Sequence, residues 1–392
     1  MLDIATELNR WCEQGRDFAV ATVVATHGSA PRQPGAALAV DAAGTAVGSV
    51  SGGCVEGAVY DLCQRALQTG EPAVESFGYS DEDAFAVGLT CGGAIDILVT
   101  PVRAATDDAE GGPDEPALRH AVAAALTAAA RGDAAAAVHL VTGPAPLVGR
   151  TLYVRPDGGF DGVLDSTPGA GPTPLERTAA AEATALLAAG RTATVEVGAD
   201  GSRCGEPVTL LVESSVPPPR MLVFGAIDFA AELVRVAKFL GYHVTVCDAR
   251  PVFATTARFP DADEVVVGWP HRYLDSQELD ERAVLCVLTH DAKFDVPLLE
   301  RALRLPVAYV GAMGSRRTHA DRLARLREAG VGERDLARLR SPIGLDLGAR
   351  TPEETALSIA AEIVAHRHGG SGTSLTGGGA PIHHPPPRRA AA

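Results

Sequence analysis

The sequence lacks the segments that carry proteins into or across membranes. Residues 1–15 show no basic start followed by an apolar core, so we expect no secretion signal. The most apolar block, residues 121–130, is mostly alanine. It falls well short of the roughly 20 apolar residues that a membrane span needs. We therefore expect a soluble, cytoplasmic protein.

Positive charge and closely spaced cysteines are also scarce. The chain has 34 basic against 49 acidic residues and a formal net charge of −15, which disfavours general adhesion to nucleic acids or anionic lipids. An anionic small molecule can still bind where arginines and backbone N–H groups converge.

The 7 cysteines include no C-x-x-C pair, which argues against a structural zinc site. Their odd number, without a secretion signal, argues against a disulfide scaffold.

Length and composition predict two globular domains. A chain of 392 residues is too long for one ordinary core, and 46% hydrophobic residues are enough to fill two. The acidic, Gly- and Pro-rich stretch over 103–116 is typical of a linker-like loop, prolines 217–219 form a stiff joint, and residues 369–392 are predicted to be a disordered tail. The predicted domains are residues 1–215 and 220–368.

The two domains differ in their pattern of strands and helices, so the fold class is α/β with two kinds of domain. Residues 1–215 mix β-rich runs such as 18–25 with Ala-rich helical segments such as 117–131, which predicts a mixed α+β domain. Residues 220–368 alternate short apolar strands, beginning at 220–224, with amphipathic helices. This alternation predicts a Rossmann-like, doubly wound parallel sheet.

Glycine and hydroxyl side chains are concentrated in three loops of the first domain, HGSAPRQPG (27–35), GSVSGGCVEG (48–57) and GLTCGG (88–93). Such loops expose backbone N–H donors that hold phosphate or other oxyanions, and Arg32 adds a bidentate grip. Cys54 precedes a predicted helix over residues 55–67, whose dipole would lower the pKa of the thiol. The alternative is that Cys54 and Cys91 are small buried residues in tight turns.

A turn at the start of the second domain is placed like a dinucleotide-binding turn. Gly225-Ala226-Ile227-Asp228 follows the first strand, and Asp248 ends the next one, where a ribose-binding acid would lie. However, Ile227 replaces the glycine that lets a pyrophosphate approach the helix. NAD(P) binding is therefore disfavoured, and a structural turn without ligand is the alternative.

A second glycine-rich turn in this domain carries positive charge. Gly314, Ser315, Arg316 and Arg317 follow the predicted strand over 307–310 and open a helix. A parallel sheet has its ligand crevice at the carboxyl ends of its strands, so we expect these residues to face an anion there.

Five motifs, taken together and in order, resemble one known family. They are GSAPRQPGA, GSVSGGCVEG, GLTCGG, YVGAMGSRRT and SPIGLDLGARTPEETALSIAAEIVAHRHG, and they spread over both predicted domains, from about Phe18 to Gly370. The chain is similar to the XdhC/CoxI family of accessory factors for molybdenum hydroxylases such as xanthine dehydrogenase and carbon monoxide dehydrogenase. The resemblance implies an N-terminal XdhC/CoxI domain joined to a C-terminal Rossmann-like XdhC domain.

The resemblance implies a maturation chaperone rather than a catalyst. Such a protein binds the molybdenum cofactor (molybdopterin), shields it while a terminal oxo ligand is replaced by sulfur, and passes it to the target apoenzyme. A separate cysteine desulfurase supplies the sulfur. The resemblance does not fix the oligomeric state, for which a homodimer is one candidate.

The resemblance and the loop chemistry together give a set of candidate cofactor-binding residues. These are Ser29, Arg32, Gly52, Gly53, Cys54, Glu56, Cys91, Gly92, Gly225, Asp248, Gly314, Ser315, Arg316 and Arg317. Cys54 and Cys91 are the candidate soft ligands for molybdenum or its sulfur. Family members typically have Gly-Ala-Gly-His where this chain has residues 225–228, so more of the contact is expected from the two cysteines and the 311–317 loop.

Two other functions are compatible with parts of the sequence. The Rossmann-like domain and Asp248 suggest an NAD(P)-dependent oxidoreductase, against which Ile227 argues. A pure protein-interaction scaffold would bind neither ligand but would still bind the hydroxylase.

Overall fold

The computed structural model describes residues 1–28, 30–78, 93–103, 115–165, 171–202 and 205–377. These residues belong to two compact units, Met1–Pro217 (unit 1) and Pro218–Ala392 (unit 2), which join within the three prolines. Most of the predicted linker-like loop and most of the predicted tail, residues 104–114 and 378–392, lie outside the described residues.

The first half of unit 1 builds an antiparallel sheet, sheet A. Its elements are α1 (Ala5–Glu13), β1 (Phe18–His27), β2 (Ala37–Asp41), β3 (Ala46–Gly48), α2 (Glu56–Thr69), β4 (Ala73–Phe77) and β5 (Ala94–Val102). The strand order is β3-β2-β1-β5-β4. Strand β1 confirms the strand predicted over 18–25, and helix α2 confirms the helix predicted over 55–67. The boundaries shift by one or two residues.

The second half of unit 1 builds a second antiparallel sheet, sheet B. Its elements are α3 (Glu115–Ala130), β6 (Ala135–Thr142), β7 (Thr151–Val154), β8 (Phe160–Gly162), α4 (Pro174–Ala188), β9 (Ala193–Gly198) and β10 (Pro207–Ser215). The strand order is β8-β7-β6-β10-β9. Helix α4 begins with a capping box, in which Thr173 and Glu176 satisfy each other's backbone N–H groups.

Unit 1 is layered as helix, sheet, sheet, helix. Helix α2 covers one face of sheet A and α4 covers one face of sheet B, each through an apolar cluster of its own. The other faces of the two sheets meet where Val24 and Leu98 pack against Val141 and Leu211. Helices α1 and α3 share an apolar cluster with strands of both sheets. The mixed α and β arrangement predicted for this region is confirmed.

A buried polar network lies among these apolar layers and centres on Glu213 of β10. Its side chain is 2% exposed, and it accepts hydrogen bonds from the amino group of Met1 at 2.6 Å and from the N–H of Leu2 at 3.0 Å. The ring of His139 bridges Glu213 and Thr151, at 3.0 and 2.9 Å. The Met1 amine also donates to the carbonyl of Gly35, at 2.9 Å. Glu213 thus connects the start of the chain to sheet B, and through Met1 to a glycine-rich loop.

Unit 2 is built on a six-stranded parallel sheet, sheet C. Its elements are β11 (Arg220–Phe224), α5 (Asp228–Phe239), β12 (His243–Asp248), β13 (Glu264–Val267), α6 (Pro270–Asp275), β14 (Val284–Val287), α7 (Ala292–Ala302), β15 (Tyr309–Ala312), α8 (Arg316–Glu328), α9 (Glu333–Leu336), β16 (Leu339–Arg340) and α10 (Pro352–His368).

The strand order of sheet C confirms the predicted doubly wound parallel sheet. The order is β13-β12-β11-β14-β15-β16, and all pairings are parallel. Helices α5 and α10 cover one face, while α6, α7 and α8 cover the other. The order reverses between β11 and β14, so the loops that follow these two strands flank the expected ligand crevice.

Over the described part of the chain, no helix combines the length and the apolar character needed to cross a bilayer.

We predict that Glu213→Gln destabilises unit 1. Although burial disfavours the charged carboxylate, the Met1 ammonium and His139 lower the pKa of Glu213 from 4.5 to about 2. Removing one partner of a buried ion pair costs about 3–5 kcal/mol of unfolding free energy. Because the folded-state pKa is depressed, this stabilisation is complete above about pH 4.5 and is lost as the pH falls towards 2.

Urea unfolding of the full chain in a Trp269→Phe background measures this effect, because the remaining tryptophan, Trp11, lies in unit 1. Glu7→Gln is the control, since Glu7 pairs with Arg10 at the surface. It should change the unfolding free energy by less than about 0.5 kcal/mol. Equal effects of the two variants at pH 7 would contradict the prediction.

Candidate functional site

The connections that contain the three glycine-rich motifs leave sheet A at one end. His27, at the end of β1, pairs with Ala94, at the start of β5. Gly48, at the end of β3, pairs with Leu38 near the start of β2, and the end of β4 pairs with the start of β5. The β1–β2, β3–α2 and β4–β5 connections are therefore attached at the same end of sheet A, which we call its loop end. Cys91 and Gly92, in the β4–β5 connection, and Ser29, in the β1–β2 connection, lie outside the described residues.

The loop between β3 and α2 satisfies its own backbone donors. Glu56 accepts from the N–H groups of Ser51 and Gly53, at 2.9 and 2.8 Å, and from the Ser49 hydroxyl at 2.7 Å. The Ser49 and Ser51 hydroxyls accept the N–H groups of residues 52, 54 and 55. Although burial opposes the charge, these hydrogen bonds lower the pKa of Glu56 to about 2. The N–H groups expected to be exposed at residues 51–55 are thus engaged within the loop.

The two glycines of this loop place Cys54 beside the start of α2. Gly52 and Gly53 have φ values of +75° and +120°, which favour glycine, so the turn needs both. Cys54 is partly buried and lies two residues before the first residue of α2, one residue further from the helix than predicted. A residue at this position lies near the positive end of the helix dipole, which favours a thiolate.

Arg32 lies in the β1–β2 connection and pairs with a carboxylate from the start of the chain. Its guanidinium donates to Asp3 at 3.2 Å, and both side chains are partly exposed, at 43% and 33%. Asp3 also accepts the N–H of Ala37 at 3.3 Å, which joins it to the first residue of β2. The pair therefore borders the same end of sheet A as the glycine-rich loops.

In unit 2, the first turn is folded around the acid that was predicted to bind a ligand. Gly225 has φ +113°, and a Cβ there would lie 3.0 Å from the backbone nitrogen of Thr289. Asp248 is 2% exposed and accepts the N–H of Ala226 at 2.8 Å. Its two oxygens also accept three hydrogen bonds from Arg250. Although burial opposes ionisation, the bonds from Arg250 lower the pKa of Asp248.

The rest of this turn also differs from a phosphate-binding turn. Ile227 packs against the apolar cluster under α5, and α5 begins at Asp228. Asp228 pairs with Arg258 at 2.9 Å, and Arg258 donates to the carbonyl of Ala226 at 3.2 Å. The two acids at this turn, Asp228 and Asp248, therefore each accept hydrogen bonds from an arginine of unit 2.

The turn after β15 forms the positively charged start of α8. Gly314 has φ +147°, and Ser315 caps the helix by accepting the N–H of Thr318 at 3.1 Å. Arg316 and Arg317 form the first turn of the helix and are exposed. The start of a helix carries the positive end of its dipole, and the two arginines add positive charge there. The local potential is therefore positive and suits an anion.

A buried ion pair holds this turn against its neighbours in the sheet. Arg322 of α8 donates to Asp295 of α7 at 2.9 Å, and their side chains are 2% and 5% exposed. Arg322 also donates to the carbonyl of Met313 at 2.8 Å and to the hydroxyl of Ser341 at 3.0 Å. Asp295 in turn accepts the Thr289 hydroxyl. The pair links the loops that follow β14, β15 and β16.

Two family models match the chain. The XdhC and CoxI family model matches residues 11–78, and the XdhC Rossmann domain model matches residues 221–363. Together they cover more than half of the chain. The chain belongs to the XdhC/CoxI family.

Similar proteins from bacteria support this assignment. The XdhC/CoxI chain is 26% identical over 367 residues to a probable xanthine dehydrogenase subunit of Bacillus subtilis, covering 92% of this chain and 97% of that protein. It is 28% identical over 151 residues to the molybdenum cofactor insertion chaperone PaoD of Escherichia coli, covering 38% of this chain and 41% of that protein. A crystal structure of a xanthine dehydrogenase from Bacillus halodurans has the same fold, with a TM-score of 0.65 and 23% identity over 92% of this chain and 95% of that one.

Sequence reasoning missed a polar group at the loop end of sheet A in this XdhC/CoxI protein. His27 lies 3.1 Å from Asp96 of β5, and Asp96 also accepts the hydroxyl of Ser76 of β4. The signal was present, because Asp96 interrupts the apolar run of β5. No local pattern marked the buried Arg322–Asp295 pair, because its two residues lie on different helices.

We predict that Glu56→Ala opens the β3–α2 loop. The N–H groups of Ser51 and Gly53 lose their acceptor, so amide hydrogen exchange over residues 49–55 should accelerate at least tenfold. Because the pKa of Glu56 is lowered to about 2, wild-type protection should persist at pH 4 and disappear only near pH 2. Exchange is measured by mass spectrometry with variant and wild type at the same pH.

The control for this experiment is Glu75→Ala, because Glu75 is exposed on β4 and outside the loop. It should leave exchange over residues 49–55 unchanged. Wild-type protection in Glu56→Ala would show that the loop does not depend on this carboxylate.

Proposed function

We propose that this protein is a maturation chaperone that binds the molybdenum cofactor as cargo and delivers it to a molybdenum hydroxylase of the xanthine or carbon monoxide dehydrogenase type. The cargo is protected while a cysteine desulfurase provides the sulfur that replaces an oxo ligand. The observation that carries the proposal is that the glycine-rich β1–β2 and β3–α2 connections, with Arg32 and Cys54, leave sheet A at the end where β4 ends and β5 begins.

The chemistry of this end of unit 1 suits an anionic metal–pterin. Cys54 offers a soft sulfur ligand at the positive end of α2, and thiolate binds soft metals better than carboxylate does. The self-bonded β3–α2 loop holds its shape without a ligand, so the cysteine is presented before the cargo arrives. In the proposed role the chain binds, orients and shields the cargo, and the sulfur transfer chemistry belongs to the partner.

Unit 2 provides a second surface for an anion. Arg316 and Arg317 at the start of α8 are exposed, and the buried Arg322–Asp295 pair supports the turn that carries them. The names of the relatives agree with this role, since one is an insertion chaperone for the molybdenum cofactor and another is a probable part of xanthine dehydrogenase.

We predict that the protein purified from a host that makes the cofactor carries it, and that Cys54→Ala with Cys91→Ala lowers the amount at least fivefold. Bound pterin is measured per mole of protein as its oxidised fluorescent derivative. Each single cysteine variant is measured as well, so that the contribution of the partly buried Cys54 is separated from that of Cys91.

Cys12→Ala is the matched control, because Cys12 is also partly buried in unit 1 but lies on α1, where burial raises the pKa of its thiol to about 11. It should carry as much cofactor as the wild type. Absence of pterin from the wild type, or undiminished pterin in the double variant, would contradict the proposal.

The alternative of an NAD(P)-dependent oxidoreductase is favoured by the strand order of sheet C alone. Asp248 already accepts four hydrogen bonds from Ala226 and Arg250, which leaves little capacity for a ribose, and Ile227 takes the position of the second glycine. We therefore predict no binding of NAD or NADP tighter than about 1 mM in calorimetric titration of the full chain. Micromolar binding would restore the alternative.

A further inference from the structure

Unit 1 contains a cavity of about 560 Å³ that lies beside the loop end of sheet A. Its lining comes from the start of the chain, from the segment 31–36 in the β1–β2 connection, and from Thr192 with the end of β10. Cys54 is not among the lining residues, so the cavity is separate from the β3–α2 loop. The volume falls within the range of small-molecule sites, roughly 300–1,000 Å³.

The cavity places a hydrogen-bond donor directly beside an acceptor. The Arg32 guanidinium and the Asp3 carboxylate, 3.2 Å apart, both line it, and both are partly exposed. A guanidinium has five N–H donors and a carboxylate about four acceptor positions, so each retains capacity for a ligand. The Asp3–Ala37 hydrogen bond holds the carboxylate in place.

The remaining lining combines flat apolar surfaces with small polar groups. Pro31 and Pro34 contribute apolar lining, while Gln33 and Ser215 are polar lining residues. The Ser214 hydroxyl, on the same strand end, is enclosed and has no hydrogen-bond partner among the described residues. Buried polar groups are normally hydrogen-bonded, so this hydroxyl calls for an explanation, and a polar atom of a bound molecule would provide one.

The walls of the cavity are held by the buried network of unit 1. Glu213, which also lines the cavity, binds the Met1 amine, and that amine donates to the carbonyl of Gly35. Gly35 has φ +94°, and a Cβ there would lie 2.9 Å from the Thr192 side chain, so glycine is required for this close approach. The cavity is therefore preorganised by charge and packing rather than formed by mobile side chains.

We propose that this cavity binds the pterin ring of the cargo through the edge that carries the 2-amino and 4-oxo groups. That edge presents an acceptor, the 4-oxo group, next to two donors, N3–H and the 2-amino group. Arg32 would donate to the 4-oxo group, Asp3 would accept from N3–H and the 2-amino group, and the proline rings would cover the ring faces. The assignment deepens the proposed function and rests on it. Guanine has the same edge, so the test includes both rings.

The test measures the dissociation constant of full-length protein for 6-hydroxymethylpterin, which carries neither metal nor phosphate, by fluorescence anisotropy. We expect Arg32→Ala, Asp3→Asn and the cavity-filling Ser215→Trp each to weaken binding at least tenfold. Arg10→Ala is the matched control, because Arg10 is also a half-exposed arginine paired with a carboxylate, Glu7, but lies on α1 outside the cavity. It should change the dissociation constant less than twofold.

The outcomes separate this inference from the proposed function, because the cofactor carried by protein from a producing host is measured on the same variants. Wild type that carries cofactor, with pterin affinity unaffected by the three cavity variants, would overturn the pterin site and leave the chaperone role intact. Guanosine binding tighter than the pterin, with the same dependence on Arg32, would identify a guanine site and overturn the assignment. Wild type without cofactor, but with cavity-dependent pterin binding, would contradict the chaperone role and support the site.

Discussion

A single buried carboxylate, Glu213, connects the start of the chain to sheet B and to the β1–β2 connection of sheet A. A charge in an apolar interior is tolerated only when it is paired, and here the Met1 ammonium and His139 provide the pairing. The first residues of the chain are thereby placed beside β10, Asp3 is brought to Arg32, and the Gly35 turn is bound to the same amine. The start of the chain, the β1–β2 connection of sheet A and strand β10 of sheet B are thus joined by a paired charge in addition to the apolar packing between the two sheets.

Buried charges are also paired in unit 2, whose fold binds dinucleotides in many other proteins. Its strand order is that of a Rossmann sheet, but the acid at the end of β12 binds the first turn and Arg250 rather than facing an open crevice. Positive charge is instead concentrated at the start of α8, above the buried Arg322–Asp295 pair. The acid that is placed like a ribose-binding acid thus makes internal contacts in this structure.

Local patterns predicted much of this fold, and long-range pairing explains most of what they missed. Strand β11 is a short, mostly apolar run, and its predicted bounds, 220–224, agree with the structure. Strand β4 is largely exposed and shows no hydrophobic period, and its pairing with β5 makes it a strand. The candidate loops were found because glycine is a local signal, whereas the role of Glu213 depends on a partner 212 residues away.

The engaged donors of the β3–α2 loop bear on how a carrier can release its cargo. Backbone N–H groups that bind an anion directly would hold it tightly, because each would otherwise be left unsatisfied. Here Glu56 and two serines satisfy them whether or not cargo is present, so departure of the cargo leaves no unpaired donor behind. In the proposed role, affinity then comes from a few exchangeable contacts, such as a thiolate, a guanidinium and a flat cavity wall. A receiving enzyme can replace such contacts one at a time, which is what transfer between two proteins requires.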